Sequence, residues 1–371
     1  MAESEGAASD GRRLFADGSA LASWYVHCTQ CPRACDVDRM ASLHNADVTY
    51  HAHNGVTAHA PCGFCGESNT LRIALACLHF GEEPLVTVHG GSGTIFLTGC
   101  NLRCAFCQNY QISQQGVGAP VTSTQFADIC LRLQDAGAEN INLVTGSHHI
   151  PALAAGLEVA RTRGLTLPVC WNTSGYDSPD ALRLLDGLVT VWLPDLKTLS
   201  APLARQLCAA ADYPDRACES IHWMIAHNPL RLTSVTTGGT TKDKILQGVI
   251  VRHLFLPGRF AETADVLEWL KQHADGHAII SLMSQYTPVP FAEPAPECSR
   301  RTQALSALEN RLVTPAEDAD LQDLIAAYDF DYLFYQELTD DTSWLPDFSR
   351  QQPFSNALSR TVWHWKTGFV Q

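Results

Sequence analysis

The stretch GTIFLTGCNLRCAFCQNYQIS, residues 93 to 113, decides how this chain is read. Its first seven residues form a β-rich apolar run that opens directly onto three cysteines, Cys100, Cys104 and Cys107, spaced C-x3-C-x2-C. Disulfides use cysteines in pairs, and a tetrahedral structural zinc site takes four ligands. Three thiols crowded on one turn-sized loop point instead to a metal centre with one position left open, such as a cubane whose fourth iron has no protein ligand.

Outward from this loop, short β-rich runs alternate with amphipathic ones. TSTQFADICLRLQDAGA predicts a helix with Phe126, Ile129, Cys130 and Leu133 on one face and Gly137 near its stop. NINLVTG predicts a strand, HIPALAAGLEVARTRG a helix, LPVCWNTSG a strand, SPDALRLLDG a helix with a Ser N-cap and Pro in its first turn, and LVTVWLPDLK a strand. Residues 199 to 244 read as less regular, after which GVIVRHLFLPG, AETADVLEWLKQHA and AIISLMSQY resume the pattern. Val-, Ile- and Leu-rich strands alternating with helices imply a parallel sheet covered by helices. About six repeats, with no Gly-rich phosphate fingerprint after the first strand, predict an α/β fold: a partial or full (β/α) barrel rather than a doubly wound sheet. Chemistry in such barrels sits on loops after the strands, where the cysteine loop, TGSHH, NTSGY, DLK, LPGR and SQYTP all fall.

The chain divides into a Cys-rich N-terminal extension (1–90), a barrel core (91–290) and a C-terminal region (291–371) of helix, strand and aromatic wrap. With 46% hydrophobic residues it can bury a large core, and a net charge of -14 without a Lys/Arg stripe argues against nucleic acid as a partner. The polar opening MAESEGAASDGRRLFADGSA and the lack of a long apolar run predict a cytoplasmic protein without a membrane partner. Fourteen cysteines in such a protein suggest metal binding rather than disulfides. Five lie in CTQCPRAC and PCGFCG, three on the quoted loop, and Cys77, Cys130, Cys170, Cys208, Cys218 and Cys298 read as ordinary buried apolar residues.

The segment GCNLRCAFCQN is similar to the cluster motif of the radical S-adenosylmethionine (radical SAM) superfamily. With CTQCPRAC, LHFGEEP, NTSGYDS, LPDLK, RHLFLPG, LMSQY, WLPDF and VWHW, the chain more narrowly resembles the PflX-type iron-sulfur proteins, homologues of pyruvate formate-lyase-activating enzymes. The resemblance implies a radical SAM barrel with a [4Fe-4S] cluster on Cys100, Cys104 and Cys107, whose open iron chelates S-adenosylmethionine. Reductive cleavage would then give a 5′-deoxyadenosyl radical that abstracts hydrogen from a substrate. It also implies a backbone contact to adenine at Phe106, and Asn172, Thr173 and Ser174 at a ribose or cation contact. Asp195 and Lys197 would lie near the methionine, with Arg252 and Gln285 completing the set. Thr145, Gly146, Ser147 and His148 stand where the family has Gly-Gly-Glu, a departure at the amino-group contact.

Simpler readings stand beside these. Asp195 and Lys197, two apart on a strand, point the same way and can form a strand-end ion pair. His148 is a candidate acid/base group with Asp195 and Lys197, although adjacent histidines usually diverge. Cys28, Cys31, Cys35 and Cys65 resemble the family's N-terminal motif, a four-thiolate set for zinc or an auxiliary cluster, with Cys62 able to replace Cys65. The implied partners are an electron donor such as a flavodoxin or ferredoxin, and a glycyl-radical enzyme or another protein or peptide; a small metabolite is an alternative substrate. A non-catalytic electron relay or a zinc-stabilised barrel are the competing functions.

Overall fold

The computed structural model describes residues 18–40, 49–51, 57–59, 62–237, 239–291, 295–339, 342 and 344–370. Most of the polar opening, residues 1–17, lies outside the described residues, as do 292–294 of the Pro-rich passage.

One twisted sheet organises the chain. Its longer strands are β1 (Arg72–His79), β2 (Ser92–Leu97), β3 (Ile141–Val144), β4 (Val169–Thr173), β5 (Val191–Pro194), β6 (Arg231–Thr237), β7 (Thr240–Leu254), β8 (Ile279–Met283), β9 (Leu333–Gln336) and β10 (Ser359–His364), and the two-residue strands Ala119–Pro120 and Gly368–Phe369 pair with β1 and β10. Among the described residues, seven run parallel in the order β2-β3-β4-β5-β7-β8-β9, each added on the same side as the chain advances. On the other edge β1 pairs antiparallel with β2, and β10 with β1. β9 and β10 do not meet, so the sheet curls into an open barrel rather than a closed one. It draws strands from all three predicted regions of the chain. The segment around 331–337 adds a seventh parallel strand to the six expected.

The helices include α1 (Ser123–Asp135), α2 (Ile150–Thr162), α3 (Ala201–Cys208), α4 (Tyr213–His227), α5 (Phe260–His273) and α6 (Pro315–Tyr328). Helix α1 starts where Thr122 and Gln125 form a reciprocal capping box, and its stop is followed by Gly137 at φ 92°. Its face of Phe126, Ile129, Cys130 and Leu133 is fully buried, as the spacing requires. SPDALRLLDG yields only a four-residue helix and a 3-10 turn, and Ser178 makes no side-chain cap. The passage 199–244, which reads as irregular, holds α3, α4 and the β6–β7 hairpin. Pro202 and Pro214 sit in the first turns of its two helices, where the missing N–H costs nothing.

Side chains alternate across a strand, so the sheet has two faces. Ile95, Leu97, Leu143, Trp171, Trp192, Val251 and Leu282 pack outward in one core with α1, α2, α3 and α5. Cys170, Val191, Leu193, Ile250 and Ile279 form a second cluster with Leu85 and Val86, which plug the barrel from the loop before β2. Phe348 and Phe354 from the C-terminal wrap pack on Phe96, Val144 and Leu75, so that segment covers one face of β1, β2 and β3. Among the described residues, no helix is long and apolar enough to cross a membrane.

Candidate cluster and cofactor site

The cysteine loop leaves the C-terminal end of β2 and is pinned from several directions. Gly99 N donates to the Ile112 carbonyl at 3.0 Å, Ala105 N to Leu207 O at 2.7 Å, and Asn101 Nδ2 to Tyr176 O at 2.7 Å. Arg33 Nε holds the Asn101 carbonyl at 2.8 Å, and Gln114 Nε2 holds that of Cys104 at 2.9 Å. Arg301, from the C-terminal region, reaches the Ala105 carbonyl at 2.9 Å while its guanidinium lies 3.7 Å over the Phe291 ring. Gly99 adopts φ 85°, and a Cβ there would stand 2.4 Å from Glu67 Cγ, so glycine is required both by conformation and by space. Six hydrogen bonds from outside committed to one loop make it a rigid mount.

Each of the three thiols is free of disulfide; Cys100 and Cys104 are buried and Cys107 half-buried. Cys100 Sγ accepts from Leu102 N at 3.4 Å, Cys107 Sγ lies 3.3 Å from Ser113 Oγ, and Cys104 Sγ lies 3.7 Å from Cys208 Sγ. Burial pushes the Cys107 thiol up to about 12, and Cys104 beside it pushes the same way. A bound metal is the ordinary means by which such thiols ionise. Among the described residues, no three His, Cys, Asp or Glu side chains converge closely enough to hold a single metal ion. A mononuclear Zn–S bond of about 2.3 Å demands thiolates about 3.8 Å apart, whereas a cubane takes each thiolate on a different iron. The donor set on this loop, three soft thiols and no carboxylate, fits a multi-iron cluster.

Facing the loop are the exits of β4, β5 and β7. Lys197 Nζ sits 2.6 Å from Asp195 Oδ2, Arg252 Nε sits 2.9 Å from Asp195 Oδ1, and Arg252 Nη2 donates to Asn172 Oδ1 at 2.7 Å. Asn172, Asp195, Lys197 and Arg252, read from three separate strand ends, therefore form one network. Burial opposes the charges, but Arg252 and then Lys197 hold the Asp195 carboxyl below its ordinary range, and Asp195 holds the Lys197 ammonium above its own. Tyr213, fully buried, fixes the turn: its hydroxyl accepts from Lys197 N at 2.9 Å and lies 2.8 and 2.9 Å from the carbonyls of Asp195 and Ser174.

The other expected contacts are distributed differently. Thr173 Oγ1 donates to Asp177 Oδ2 at 2.6 Å and lies 3.4 Å from Ser147 Oγ, so these hydroxyls serve a buried cluster behind β4. Ser174 Oγ is buried with no partner, an available hydroxyl next to the network. Gly146 answers to packing: a Cβ there would lie 2.5 Å from Trp171 Cη2 and 2.7 Å from Leu153 Cδ1, while Thr145 before it takes φ 61°. Phe106 packs 6.5 Å from the Tyr286 ring. Gln285 is turned to the outer strand, with Nε2 on the Glu337 carbonyl at 2.8 Å and Oε1 accepting from Gln336 at 3.0 Å. His148 departs from its expected acid/base role. Its ring is 1% exposed, Nε2 lies 2.7 Å from the Thr98 carbonyl, and burial with Arg39 nearby drives its pKa down to about 3, so it supports the loop as a neutral group.

In the N-terminal region Cys28, Cys31 and Cys65 are buried and Cys35 half-buried, and Cys31 lies within electrostatic range of the other three. Phe64 N donates to Cys35 Sγ at 3.4 Å. Arg39, fully buried, donates to Cys28 Sγ at 3.4 Å and to the carbonyls of Glu67, Ser68 and His148 at 2.7 to 2.8 Å.

Three features escaped the sequence reading. Cys208, set aside as an apolar filler, touches Cys104. Glu82 and Glu83 reach into the barrel, Glu82 Oε1 accepting from Asn142 Nδ2 at 2.9 Å and Glu83 approaching Arg252 at 4.0 Å; burial raises both carboxyls against the pull of Arg252. Paired acids inside the otherwise apolar run LHFGEEPLV were the available signal for these. Tyr213 and Cys208 had none.

Residues 94–247 match the model of the radical SAM superfamily. An uncharacterized protein of Methanocaldococcus jannaschii, MJ0674, is 30% identical over 247 residues, 64% of this chain and 65% of that protein, so the chain spans just under two thirds of this curated relative. Crystal structures of Streptococcus suis SuiB align as well: bound to S-adenosylmethionine with TM-score 0.41 and 11% identity over 64% of this chain and 48% of that one. The form bound to the precursor peptide SuiA gives 0.43 and 13% over 65% and 47%. Residues 94–247, with the cysteine loop at their head, are a radical SAM superfamily domain.

Proposed function

We propose that this protein is a radical SAM enzyme of the PflX type, with Cys100, Cys104 and Cys107 holding a [4Fe-4S] cluster beside a site for S-adenosylmethionine. The observation that carries the reading is the juxtaposition of three free thiols on a rigid loop with the Asn172–Arg252–Asp195–Lys197 network across the barrel mouth. When bound, the cluster and S-adenosylmethionine supply a 5′-deoxyadenosyl radical by one-electron reductive cleavage. The chain's own residues orient and enclose. Lys197, Asp195 and Arg252 offer paired charges to the amino and carboxylate groups of a zwitterion, Ser174 offers an unpartnered hydroxyl, and the Phe106 backbone, within the loop, offers the adenine contact. Leu85 and Val86 below and Phe348 and Phe354 at the side keep bulk water from the interior, as radical chemistry needs.

The reaction is hydrogen abstraction from a C–H donor: a glycine of a partner enzyme, another peptide, or a small metabolite, with a flavodoxin or ferredoxin supplying the electron. Of a structural zinc and a second cluster, the two candidates for Cys28, Cys31, Cys35 and Cys65, the cluster agrees better with the lack, among the described residues, of three side chains converging on a single ion. Arg39 supports that part of the reading: its fully buried guanidinium hydrogen-bonds carbonyls and the Cys28 sulfur, and Cys65 and Cys28 lie close enough to balance its charge as thiolates.

The test is anaerobic reconstitution with iron and sulfide, followed by reductant and S-adenosylmethionine. Release of 5′-deoxyadenosine, and a changed electron paramagnetic resonance signal on adding S-adenosylmethionine, are expected. Protein fully loaded with iron and sulfide that gives neither is an electron relay and not this enzyme.

A further inference from the structure

Cys208 ends α3, where Ala209 turns the chain at φ 54°. Two contacts fix it beside the cluster loop. Ala105 N donates to Leu207 O at 2.7 Å, placing the residues next to Cys104 and Cys208 in backbone register, and Arg33 Nη1 holds the Ala209 carbonyl at 2.7 Å while also gripping the loop at Asn101. The result is a Sγ–Sγ separation of 3.7 Å between residues 104 apart in sequence. The other loop thiols are engaged elsewhere, Cys100 with a backbone N–H and Cys107 with Ser113. A disulfide requires about 2.05 Å, so rotation of the two side chains by about 1.7 Å in total closes the gap.

We propose that Cys104 and Cys208 are a redox pair: in protein lacking its cluster, a low-molecular-weight disulfide oxidises them to an intrachain cystine. One of the two thiolates attacks the small disulfide, releasing one thiol and leaving a mixed disulfide. The second thiolate displaces the other small thiol, so two cysteine thiols are oxidised, one S–S bond is reduced, and both protons end on the released thiols. The cystine removes Cys104 from the loop's ligand set and blocks iron uptake until it is reduced. The cross-link stands on geometry alone; its effect on iron uptake rests on the ligand reading above.

The full chain, stripped of iron by a chelator and reduced, is exposed to glutathione disulfide and digested without reduction for mass spectrometry. The expected result is a peptide joining Cys104 to Cys208 and a fall from fourteen titratable thiols to twelve. A Cys104–Cys107 or Cys100–Cys104 linkage, or no linkage, overturns the proposal. In parallel, the parent oxidised in this way is expected to regain iron and sulfide only after reduction, whereas Cys208→Ser regains them with or without it. Equal loss in both proteins, or reduced iron in Cys208→Ser under fully reducing conditions, overturns it, the latter by making Cys208 a ligand. If the reduced parent takes up no iron at all while the Cys104–Cys208 peptide is found, the ligand reading fails and the redox pair remains.

Discussion

Lys197 Nζ lies 2.6 Å from Asp195 Oδ2 at the exit of β5, and the same carboxylate takes Arg252 on its other oxygen. Asp195 is thus the shared anion of two cations. Asp195→Asn leaves Lys197 without its carboxylate and Arg252 with only the more distant Glu83 at 4.0 Å, while Lys197→Met leaves Asp195 still paired with Arg252. Asp195→Asn is expected to cost about 3 kcal/mol and Lys197→Met about 1 kcal/mol in urea denaturation. The reverse order would mean that the network is not organised around Asp195.

The three loop cysteines are expected to be individually indispensable. Ala at Cys100, Cys104 or Cys107 should reduce 5′-deoxyadenosine release to background, because a cubane held at two corners has lost a third of its protein bonds. Cys298→Ala, at an exposed position, should match the parent. Parental release from any of the three loop variants would remove that residue from the ligand set.

Acid should loosen the loop before β2. Glu139 Oε1 accepts from the backbone N–H groups of Val88, His89 and Gly90 at 2.8, 2.5 and 2.7 Å, and Oε2 takes Lys244 at 2.6 Å. Burial opposes the charge, but Lys244 and these donors hold the carboxyl down at about 2 against an ordinary 4.5. The folded-state value is depressed, so the contribution is complete above about pH 4.5 and lost as pH falls toward 2. Glu139→Gln should lower stability at neutral pH by about 1–3 kcal/mol and flatten the stability profile across that acid window. An unchanged acid slope in the variant would exclude Glu139 as its source.

Gly146→Ala tests whether this glycine serves packing. A methyl group 2.5 Å from the Trp171 ring must displace a fully buried indole, at a cost of about 1–3 kcal/mol. The loss should be seen by thermal denaturation in cluster-free protein as well as in loaded protein. A variant with the parental melting temperature in both forms would show that Trp171 yields freely.

Local pattern by itself determined the sheet's parallel core, because alternation with period 2 and apolar faces with period 3.6 are written in neighbouring residues, and it determined the three-thiol loop, because C-x3-C-x2-C is a property of eight consecutive positions. The family resemblance, rather than local pattern, marked Asn172, Asp195, Lys197 and Arg252 one by one. Only the tertiary structure decided that these four form one network, that His148 is a buried support while Gln285 faces the outer strand, and that Cys208 stands against Cys104. The open barrel brings together strand ends tens of residues apart in sequence, and a contact made by chain closure over such distances leaves no spacing for local pattern to reveal. The passage 199–244 reads as irregular although α3 and α4 each carry an apolar face, Leu203 and Leu207 in one and Tyr213 and Met224 in the other; α3 has only eight residues, so its face repeats over just about two turns before the chain turns away.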